Sequence, residues 1–303
     1  MQQYHNKEYV DNTYPNLFVD DKTITDIIQI CEGTYSPINN FMNIDEIKSV
    51  LDNYELHNGN PWTLPIIFQV NSYDIANLPQ SGTISIKSKK NNLTIAIIEI
   101  EKIEHIEKIK NYIKKWFGTE DNKHPGMVDL YSRGDYILSG KPYLIRENIS
   151  TFKTKYELSP NQTRSLFHQY GWHKIVGFHT RNVPHRGHQY IQKMALDQVE
   201  ADCLFISPVI GLKKKGDFLS DIIMDCYKTL IKNNVYKPYS AIIGGFNTYS
   251  RYSGPREAVF TAICRKNYGC NYFIVGRDHT GVGEYYHKNA ARDLFESLDI
   301  GIK

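Results

Sequence analysis

The feature that most constrains the fold is the alternation of short apolar runs with amphipathic segments in the second half of the chain. The apolar runs, which predict strands, cover 175–178, 204–210, 241–245 and 272–275. The segments between them have helical spacing and cover 189–199, 219–232 and 256–267. Strands that alternate with helices predict a parallel sheet with helices on its faces, and ligands bind such sheets at the carboxyl ends of the strands.

The first half predicts a β-rich domain with helical insertions. Alternating runs at 83–86 and 93–97 are separated by polar turns and predict strands. Between 101 and 117, five apolar residues recur at intervals of three and four and predict one helix. Ser159 followed by Pro160 has the pattern of an N-cap and a first helical residue. We therefore predict two domains, 1–157 and 158–303.

Composition excludes several classes of protein. The net charge of +3, from 36 basic and 33 acidic residues, is too small for a nucleic-acid-binding surface, so any anion site must be local. The apolar runs fall far short of the roughly 20 residues that a membrane span needs, and the first residues do not resemble a signal segment. Five scattered cysteines without a C-x-x-C pair predict reduced thiols in a cytoplasmic protein, with no disulfide framework and no structural zinc.

The segment 177–188, between the first predicted strand and helix of the second half, carries the densest set of functional side chains. This first cluster comprises Thr180, Arg181, Asn182, His185 and His188. A helix N-terminus offers unpaired N–H groups and partial positive charge, to which these side chains add donors and cations. Two loop histidines are also compatible with surface hydrogen bonding or with a metal. No carboxylate or cysteine completes a metal-ligand set, so we predict phosphate contact and no metal site.

Three further clusters follow predicted strand ends. The first, 211–217, holds three consecutive lysines between two glycines, which is compatible with a solvated surface or with a cationic loop over phosphates. The second, 250–257, leads into a helix. Its Arg256 and Glu257 fit ordinary helix-start chemistry, whereas Arg251 is a candidate for neutralising phosphate charge. The third, 275–283, combines three glycines with basic and acidic side chains, but without dinucleotide-binding spacing.

These clusters resemble the ATP sulfurylase family, whose members are sulfate adenylyltransferases. The matching segments are 180–188, 254–258, 265–270 and 274–279, with 33–42, 62–65, 124–126 and 133–140 in the first half. The resemblance implies an N-terminal PUA-like β-rich domain followed by a Rossmann-like parallel α/β nucleotidyltransferase domain. It also implies a homo-oligomer and magnesium bound with ATP.

The resemblance implies a reaction and a set of site residues. In the family, a sulfate oxygen attacks the α-phosphorus of ATP directly, which yields adenosine 5′-phosphosulfate and pyrophosphate, and the reaction also runs in reverse. Such catalysis needs orientation and charge stabilisation. By motif, the nucleotide side comprises Asn182, His185, His188, Gly276, Arg277, Asp278 and His279. The oxoanion side comprises His179, Arg181 and Thr280. Thr180 and Arg251 complete the predicted catalytic set.

The sequence departs from the family pattern at four places. The family usually has Gln at the position of His179, Ala at the position of Thr280 and His at the position of Ser207. The family pattern also continues past Lys303, so the resemblance implies a shortened C-terminus. Because the first two changes fall on the oxoanion side, an alternative is a nucleotidyltransferase whose acceptor is a phosphonate or a phosphorylated metabolite. A further alternative is a nucleotide-binding homologue without turnover.

Overall fold

The computed structural model describes residues 2–11, 13–213, 216–276 and 285–303. The chain forms two compact units. The first comprises Met1–Phe152, Ser250–Phe260 and Arg277–Asp299, and the second comprises Lys153–Tyr249, Thr261–Gly276 and Ile300–Lys303. The division at residue 157 into two folding domains stays a proposal.

The first unit contains a mixed six-stranded sheet. Its strands are β1 (Tyr4–His5), β2 (Asn16–Val19), β3 (Gln69–Val70), β4 (Gly82–Ser88), β5 (Thr94–His105) and β6 (Tyr136–Ile145). The order is β1-β6-β5-β4-β2, with β3 paired to β6. The long β4–β5 and β5–β6 pairings are antiparallel. β1 pairs with β6, and β2 pairs with β4, both in parallel. The predicted strand at 83–86 is confirmed within β4, and the one at 93–97 is confirmed from Thr94, where β5 begins.

Six helices of the first unit precede residue 153, namely α1 (Asp21–Glu32), α2 (Ile44–Asn53), α3 (Ser72–Ile75), α4 (Ile113–Phe117), α5 (Pro125–Ser132) and α6 (Ile149–Phe152). Asp20 caps the N-terminus of α1, since its carboxylate accepts from the Thr23 N–H. Gly33, in the left-handed conformation, caps the C-terminus. Ile27 and Ile28 of α1 are fully buried. α1 thus contributes an apolar face to the core of this unit.

The helix predicted for 101–117 is wrong over its first five residues. The strand β5 continues to His105, because Lys102 to His105 pair with Ser139 to Tyr136 of β6. Helical structure begins at Ile106 with a 3-10 turn, Ile106–Tyr112, and continues into α4. The His105 ring accepts from the Glu107 N–H and so marks the change. The buried helical stripe is real, but it starts at Ile106.

The second unit is built on the predicted parallel sheet. Its strands are β7 (Ile175–Thr180), β8 (Cys203–Pro208), β9 (Ala241–Ile243) and β10 (Tyr272–Phe273), in the order β10-β7-β8-β9, and every pairing is parallel. The helices are α7 (Pro160–Gln169), α8 (Arg186–Gln198), α9 (Ser220–Lys232) and the part of α10 (Pro255–Tyr268) that follows Phe260. The alternation predicted from the sequence is confirmed. A last helix, α11 (Ala290–Ser297), belongs to the residues of the first unit.

The core of the second unit explains why its strands read as unbroken apolar runs. All six residues of β8 are buried. Val176, Phe178, Leu204 and Ile206 form one cluster with Tyr227 of α9. A strand covered on both faces needs apolar side chains on both. α7 begins as predicted: the Ser159 hydroxyl accepts from the Gln162 N–H, in a reciprocal capping box with Pro160 at the first turn.

Strand order locates the ligand edge of this sheet. The chain runs from β7 through β8 to β9 and then returns to the other side of β7 as β10. The order therefore reverses beside β7, and open α/β sheets bind ligands outside the carboxyl ends of the strands at such a point. The carboxyl end of β7 is Thr180. Within the described residues, no helix is long and apolar enough to cross a membrane.

Candidate functional site

The first cluster lies at the reversal of strand order, in the turn from β7 to α8. Thr180, the last residue of β7, is buried, and its hydroxyl accepts from the Asn182 N–H at 3.0 Å. This bond closes a tight turn at the end of the strand. The Asn182 side chain is exposed and Arg181 is half-buried. The structure thus presents the amide of Asn182 at the ligand edge while Thr180 holds the backbone.

His185 and His188 occupy the N-terminus of α8. His185 is the N-cap, and its Nδ1 accepts from the His188 N–H at 3.3 Å. The two rings stack with centroids 3.7 Å apart and planes 25° apart. The His185 ring accepts from one N–H of the first turn. The other N–H groups of that turn have no acceptor within the helix and point out of its end. The two histidines and the helix N-terminus therefore converge at one place.

Burial, and secondarily the neighbouring His185, lowers the pKa of His188 to about 4. The ring packs edge-on against Phe178 at 5.3 Å, and the Tyr227 hydroxyl lies 3.5 Å from its Nδ1. At neutral pH, His188 is accordingly uncharged before a ligand binds. An incoming anion would stabilise the protonated ring.

A lysine that sequence reasoning left undecided belongs to the same edge. Lys213 is half-buried, and its ammonium donates to the Val209 carbonyl. Burial and then the charge of Arg181 lower its pKa, against the opposing effect of Asp217. The Asp217 carboxylate and the Arg181 guanidinium both act on this ammonium, so Lys213 lies close to charged groups of both signs. Lys213 therefore fits a cationic loop better than a solvated surface, while Lys214 and Lys215 lie outside the described residues.

His179 contacts a residue that sequence reasoning did not single out as part of the site. Arg265 of α10 is fully buried, and its Nη2 donates to His179 Nδ1 at 2.9 Å and to the Ser207 carbonyl at 2.8 Å. In the sequence, Arg265 begins the segment 265–270 that resembles the family, and it is a charged residue on a helix whose neighbours Ala262, Ile263 and Cys264 are apolar. A buried arginine needs several acceptors, so such a residue marks a fixed polar network.

Comparison with known proteins agrees with this geometry. A family model described as ATP-sulfurylase matches residues 154–303, and one described as a PUA-like domain matches residues 2–147. A sulfate adenylyltransferase of Thermococcus onnurineus is 41% identical over 290 residues, which cover 95% of this chain and 74% of that protein. A sulfate adenylyltransferase of Microcystis aeruginosa is 37% identical over 288 residues, covering 95% and 72%. The chain belongs to the ATP-sulfurylase family.

The fold is also similar to that of a solved structure. A protein described as a hexameric APS kinase from Thiobacillus denitrificans superimposes with a TM-score of 0.68 at 16% identity. The match covers 96% of this chain and 50% of that one, so this chain spans half the length of the solved chain. At that identity the likeness concerns the fold alone.

Arg251, which the sequence suggested as a cation for phosphate and the resemblance placed close to the reacting groups, has a carboxylate partner inside the first unit. Its guanidinium makes two hydrogen bonds to Asp26, which is 1% exposed, and a third to the Tyr35 hydroxyl at 3.1 Å. A buried ion pair of this kind holds α1 to the segment that precedes α10. Its position close to the reacting groups stays a prediction.

The interpretation of Arg256 and Glu257 as structural residues is confirmed. Arg256 donates to four backbone carbonyls, those of Val50, Leu51, Thr63 and Lys115. Glu257 accepts from the N–H groups of Arg251 and Ser253 at 3.0 and 3.2 Å. Both side chains therefore hold the start of α10 within the first unit.

The last cluster of the ATP-sulfurylase pattern is only partly described. Gly276 is exposed after β10. Arg277, Asp278, His279 and Thr280 lie outside the described residues, so their predicted contacts with nucleotide and oxoanion stay predictions. Over the described part of the chain, no group of three or more His, Cys, Asp or Glu side chains could hold a metal ion. All five cysteines are free thiols.

Proposed function

We propose that this chain is a sulfate adenylyltransferase. A sulfate oxygen attacks the α-phosphorus of ATP, the bond from that phosphorus to the oxygen bridging the β-phosphate breaks, and pyrophosphate leaves. The products are adenosine 5′-phosphosulfate and pyrophosphate, and the same site runs the reverse reaction. The single observation that carries the proposal is the stacked His185–His188 pair on the N-terminus of α8, at the reversal of strand order.

The geometry supports charge stabilisation as the source of rate enhancement. The transition state of phosphoryl transfer spreads negative charge over phosphate oxygens, and fixed donors lower its energy without a covalent intermediate. The end of α8 offers N–H groups, and the His188 ring, which is neutral in the unliganded chain, would accept a proton once phosphate lies beside it. Lys213 and Arg181 add positive charge from the same edge. Together these groups favour an ATP phosphate chain over a neutral ligand.

We assign roles by position within this proposal. Arg181 and His179 hold the sulfate, and Thr280 borders it. Asn182, His185 and His188 contact the phosphates, while Thr180 fixes the turn that presents them. Gly276, Arg277, Asp278 and His279 line the nucleotide side, and Arg251 acts close to the reacting groups.

Magnesium enters the proposed reaction with the nucleotide. A magnesium ion is commonly bound by substrate phosphates, water and only one or two protein carboxylates. When bound, it neutralises charge on the phosphate chain.

We also propose that the chain forms a homo-oligomer. Sedimentation of the purified chain at several concentrations tests this, and a monomer at micromolar concentration contradicts it.

The decisive test of function is sulfate-dependent release of pyrophosphate. The purified chain is mixed with ATP and magnesium, with and without sulfate, and the reverse direction is followed as ATP formed from adenosine phosphosulfate and pyrophosphate. We expect turnover in both directions. If neither direction shows turnover while ATP still binds, the chain is a nucleotide-binding homologue without this activity.

A second candidate function uses another anionic acceptor. The sequence departures that favour it are His179 and Thr280, at positions where the family usually has Gln and Ala. A panel of phosphonates and phosphorylated metabolites at equal concentration replaces sulfate in the same assay. Release of pyrophosphate with one of these and not with sulfate establishes the second function, whereas a response to sulfate and its close mimics alone excludes it.

A further inference from the structure

Two of the departures from the family pattern lie side by side in the sheet. His179 of β7 and Ser207 of β8 are register partners, so their side chains leave the same face of adjacent parallel strands. The family usually has Gln at the first position and His at the second. This chain therefore keeps an imidazole at the same edge, but supplies it from the neighbouring strand.

One buried arginine connects the two positions. Arg265 donates from Nη2 to His179 Nδ1 at 2.9 Å, and to the carbonyl and hydroxyl oxygens of Ser207 at 2.8 and 3.2 Å. Its Nη1 donates to the Thr261 carbonyl at 3.4 Å, and its guanidinium stacks over the Phe246 ring at 4.3 Å. These contacts fix the guanidinium within the second unit.

Gly177 gives this arginine its place against β7. A Cβ at residue 177 would lie 3.0 Å from Arg265 Cγ and 3.1 Å from the Cys270 sulfur. Such distances are tighter than most Cβ contacts, so the Arg265 or Cys270 side chain would have to move by a few tenths of an ångström to accept a Cβ here. Gly177 thus allows the Arg265 side chain to approach β7 closely.

The direction of the Arg265–His179 bond determines where the imidazole proton lies. A guanidinium has only donors and does not lose its proton in proteins. The His179 Nδ1 is therefore the acceptor and carries no proton. A histidine with an unprotonated Nδ1 is neutral and has its N–H at Nε2.

We propose that Arg265 is a positioning residue that holds His179 in the neutral Nε2–H form, so that this histidine offers the acceptor oxoanion one uncharged N–H donor. The assignment of the oxoanion rests on the proposed function, whereas the assignment of the proton does not. A glutamine at residue 179 would do the same work, since its carbonyl oxygen can accept from Arg265 while its amide nitrogen donates. His179 therefore preserves the chemistry of the family's Gln instead of adding charge.

Nitrogen NMR of the full chain tests the position of the proton without any turnover. The protein is labelled with ¹⁵N-histidine, and two-bond proton–nitrogen correlations at pH 7 distinguish the two neutral tautomers and the charged ring. The signal of His179 is the one missing from His179→Gln. We expect an unprotonated Nδ1 and a protonated Nε2. A ring protonated at Nδ1, alone or at both nitrogens, overturns the proposal.

The dependence on Arg265 is tested with two variants of different severity. In Arg265→Met the His179 signals should move towards a mixture of tautomers. Ser207→Ala, which removes only the hydroxyl acceptor, should leave the Nε2–H form in place. His173, an exposed histidine before β7, is the control whose tautomer should be the same in all variants. If Arg265→Met does not fold, the wild-type spectrum alone decides.

Kinetics with sulfate test the consequence for the oxoanion. We expect His179→Leu, which has no donor, to raise the KM for sulfate about tenfold more than His179→Gln does, as loss of one hydrogen bond to a charged group implies. The KM for ATP should rise much less. Equal effects of Leu and Gln would show that the N–H donor is not used.

The neighbouring departures should also be coupled. Ser207→His alone places a second ring beside His179 and competes for Arg265, so it should raise the KM for sulfate. Adding His179→Gln should recover part of that loss, which is non-additivity of residues in one network. Additive effects would overturn the coupling. If neither the wild type nor any variant uses sulfate, the proposed function fails. The NMR result would still decide whether Arg265 positions His179.

Discussion

The rings of His185 and His188 lie stacked with their centroids 3.7 Å apart at the first turn of α8. Two imidazolium ions at this distance would repel one another strongly. Burial, and secondarily the neighbouring His185, lowers the pKa of His188 to about 4, so the His188 ring is uncharged at neutral pH in the absence of an anion. The proposed phosphate site is thus less positive before binding than its sequence suggests, and we expect it to gain charge when an anion binds.

The first prediction is a loss of stability on acidification that depends on His188. The pKa of this group rises from about 4 in the folded chain to its ordinary value of 6.5 on unfolding. The unfolded chain therefore binds the proton more readily, and the free energy of unfolding falls as pH drops from about 6.5 to 4. Allowing for partial solvent exposure, we expect a contribution of about 1–2 kcal/mol. Urea unfolding of wild type and His188→Gln at pH 7, 6, 5 and 4 measures it as the difference between the two curves.

The second prediction is that nucleotide binding is coupled to proton uptake. Phosphate beside His188 favours the protonated ring and raises its pKa. At pH 5.5, where His188 of the unliganded chain is mostly neutral, calorimetry of ATP binding in buffers of different ionisation enthalpy should show uptake of up to one proton. The control is His188→Gln, which should bind ATP with markedly less uptake. Equal uptake by both proteins would exclude His188 as the acceptor.

The third prediction separates transition-state stabilisation from binding. Groups that act mainly on the transition state lower turnover more than affinity when they are removed. We expect His185→Ala and His188→Ala to reduce kcat by about 100-fold, in the range found for loss of one oxyanion donor, with less than tenfold weaker ATP binding. Steady-state kinetics and equilibrium binding of ATP provide the two values. Equal losses in both would mean that the pair anchors the ground state.

The alternation of strands and helices in the second unit could be predicted because the sequence patterns that indicate it are local. The spacing of apolar residues differs between the strands β7 and β8 and the helix α8, and polar turns of a few residues separate these elements. The end of β5 could not be predicted, because residues 101–105 suit either a strand or a helix and the choice is made by pairing with β6. A sheet partner distant in sequence overrides such a weak local preference.

The candidate site shows the same limit at the level of single side chains. Asn182, His185 and His188 lie within seven consecutive residues, so their proximity follows from the sequence alone. Arg265 reaches His179 across 86 residues, and Arg251 reaches Asp26 across 225. Neither pairing leaves a trace in local spacing. Composition indicated the cations, but only the fold showed that two of them already have fixed partners.

The fourth prediction concerns the ion pair of Arg251 with Asp26. Removing one member leaves a buried charge without its partner, so Asp26→Leu and Arg251→Met should each reduce the free energy of unfolding by about 3–5 kcal/mol. The double variant should recover most of this loss. The proposed role of Arg251 close to the reacting groups requires that turnover of the stable double variant stay at least tenfold below wild type. Urea unfolding and sulfate-dependent pyrophosphate release give the two readouts, and near wild-type turnover would make Arg251 a structural residue only.

The fifth prediction concerns Gly211, at the start of the lysine loop. A Cβ at this residue would lie 2.0 Å from the Thr248 carbonyl oxygen, which is backbone and cannot turn aside. Gly211→Ala should therefore shift the loop that carries Lys213, lower the free energy of unfolding by about 1–3 kcal/mol and weaken ATP binding. Gly216→Ala is the matched control: a Cβ there meets nothing within 4 Å, and its φ of +95° makes the cost one of backbone conformation alone. That cost is about 1 kcal/mol. Calorimetric ATP binding and urea unfolding compare the two variants, and a Gly211→Ala protein no worse than its control would show that the approach to Thr248 is not needed.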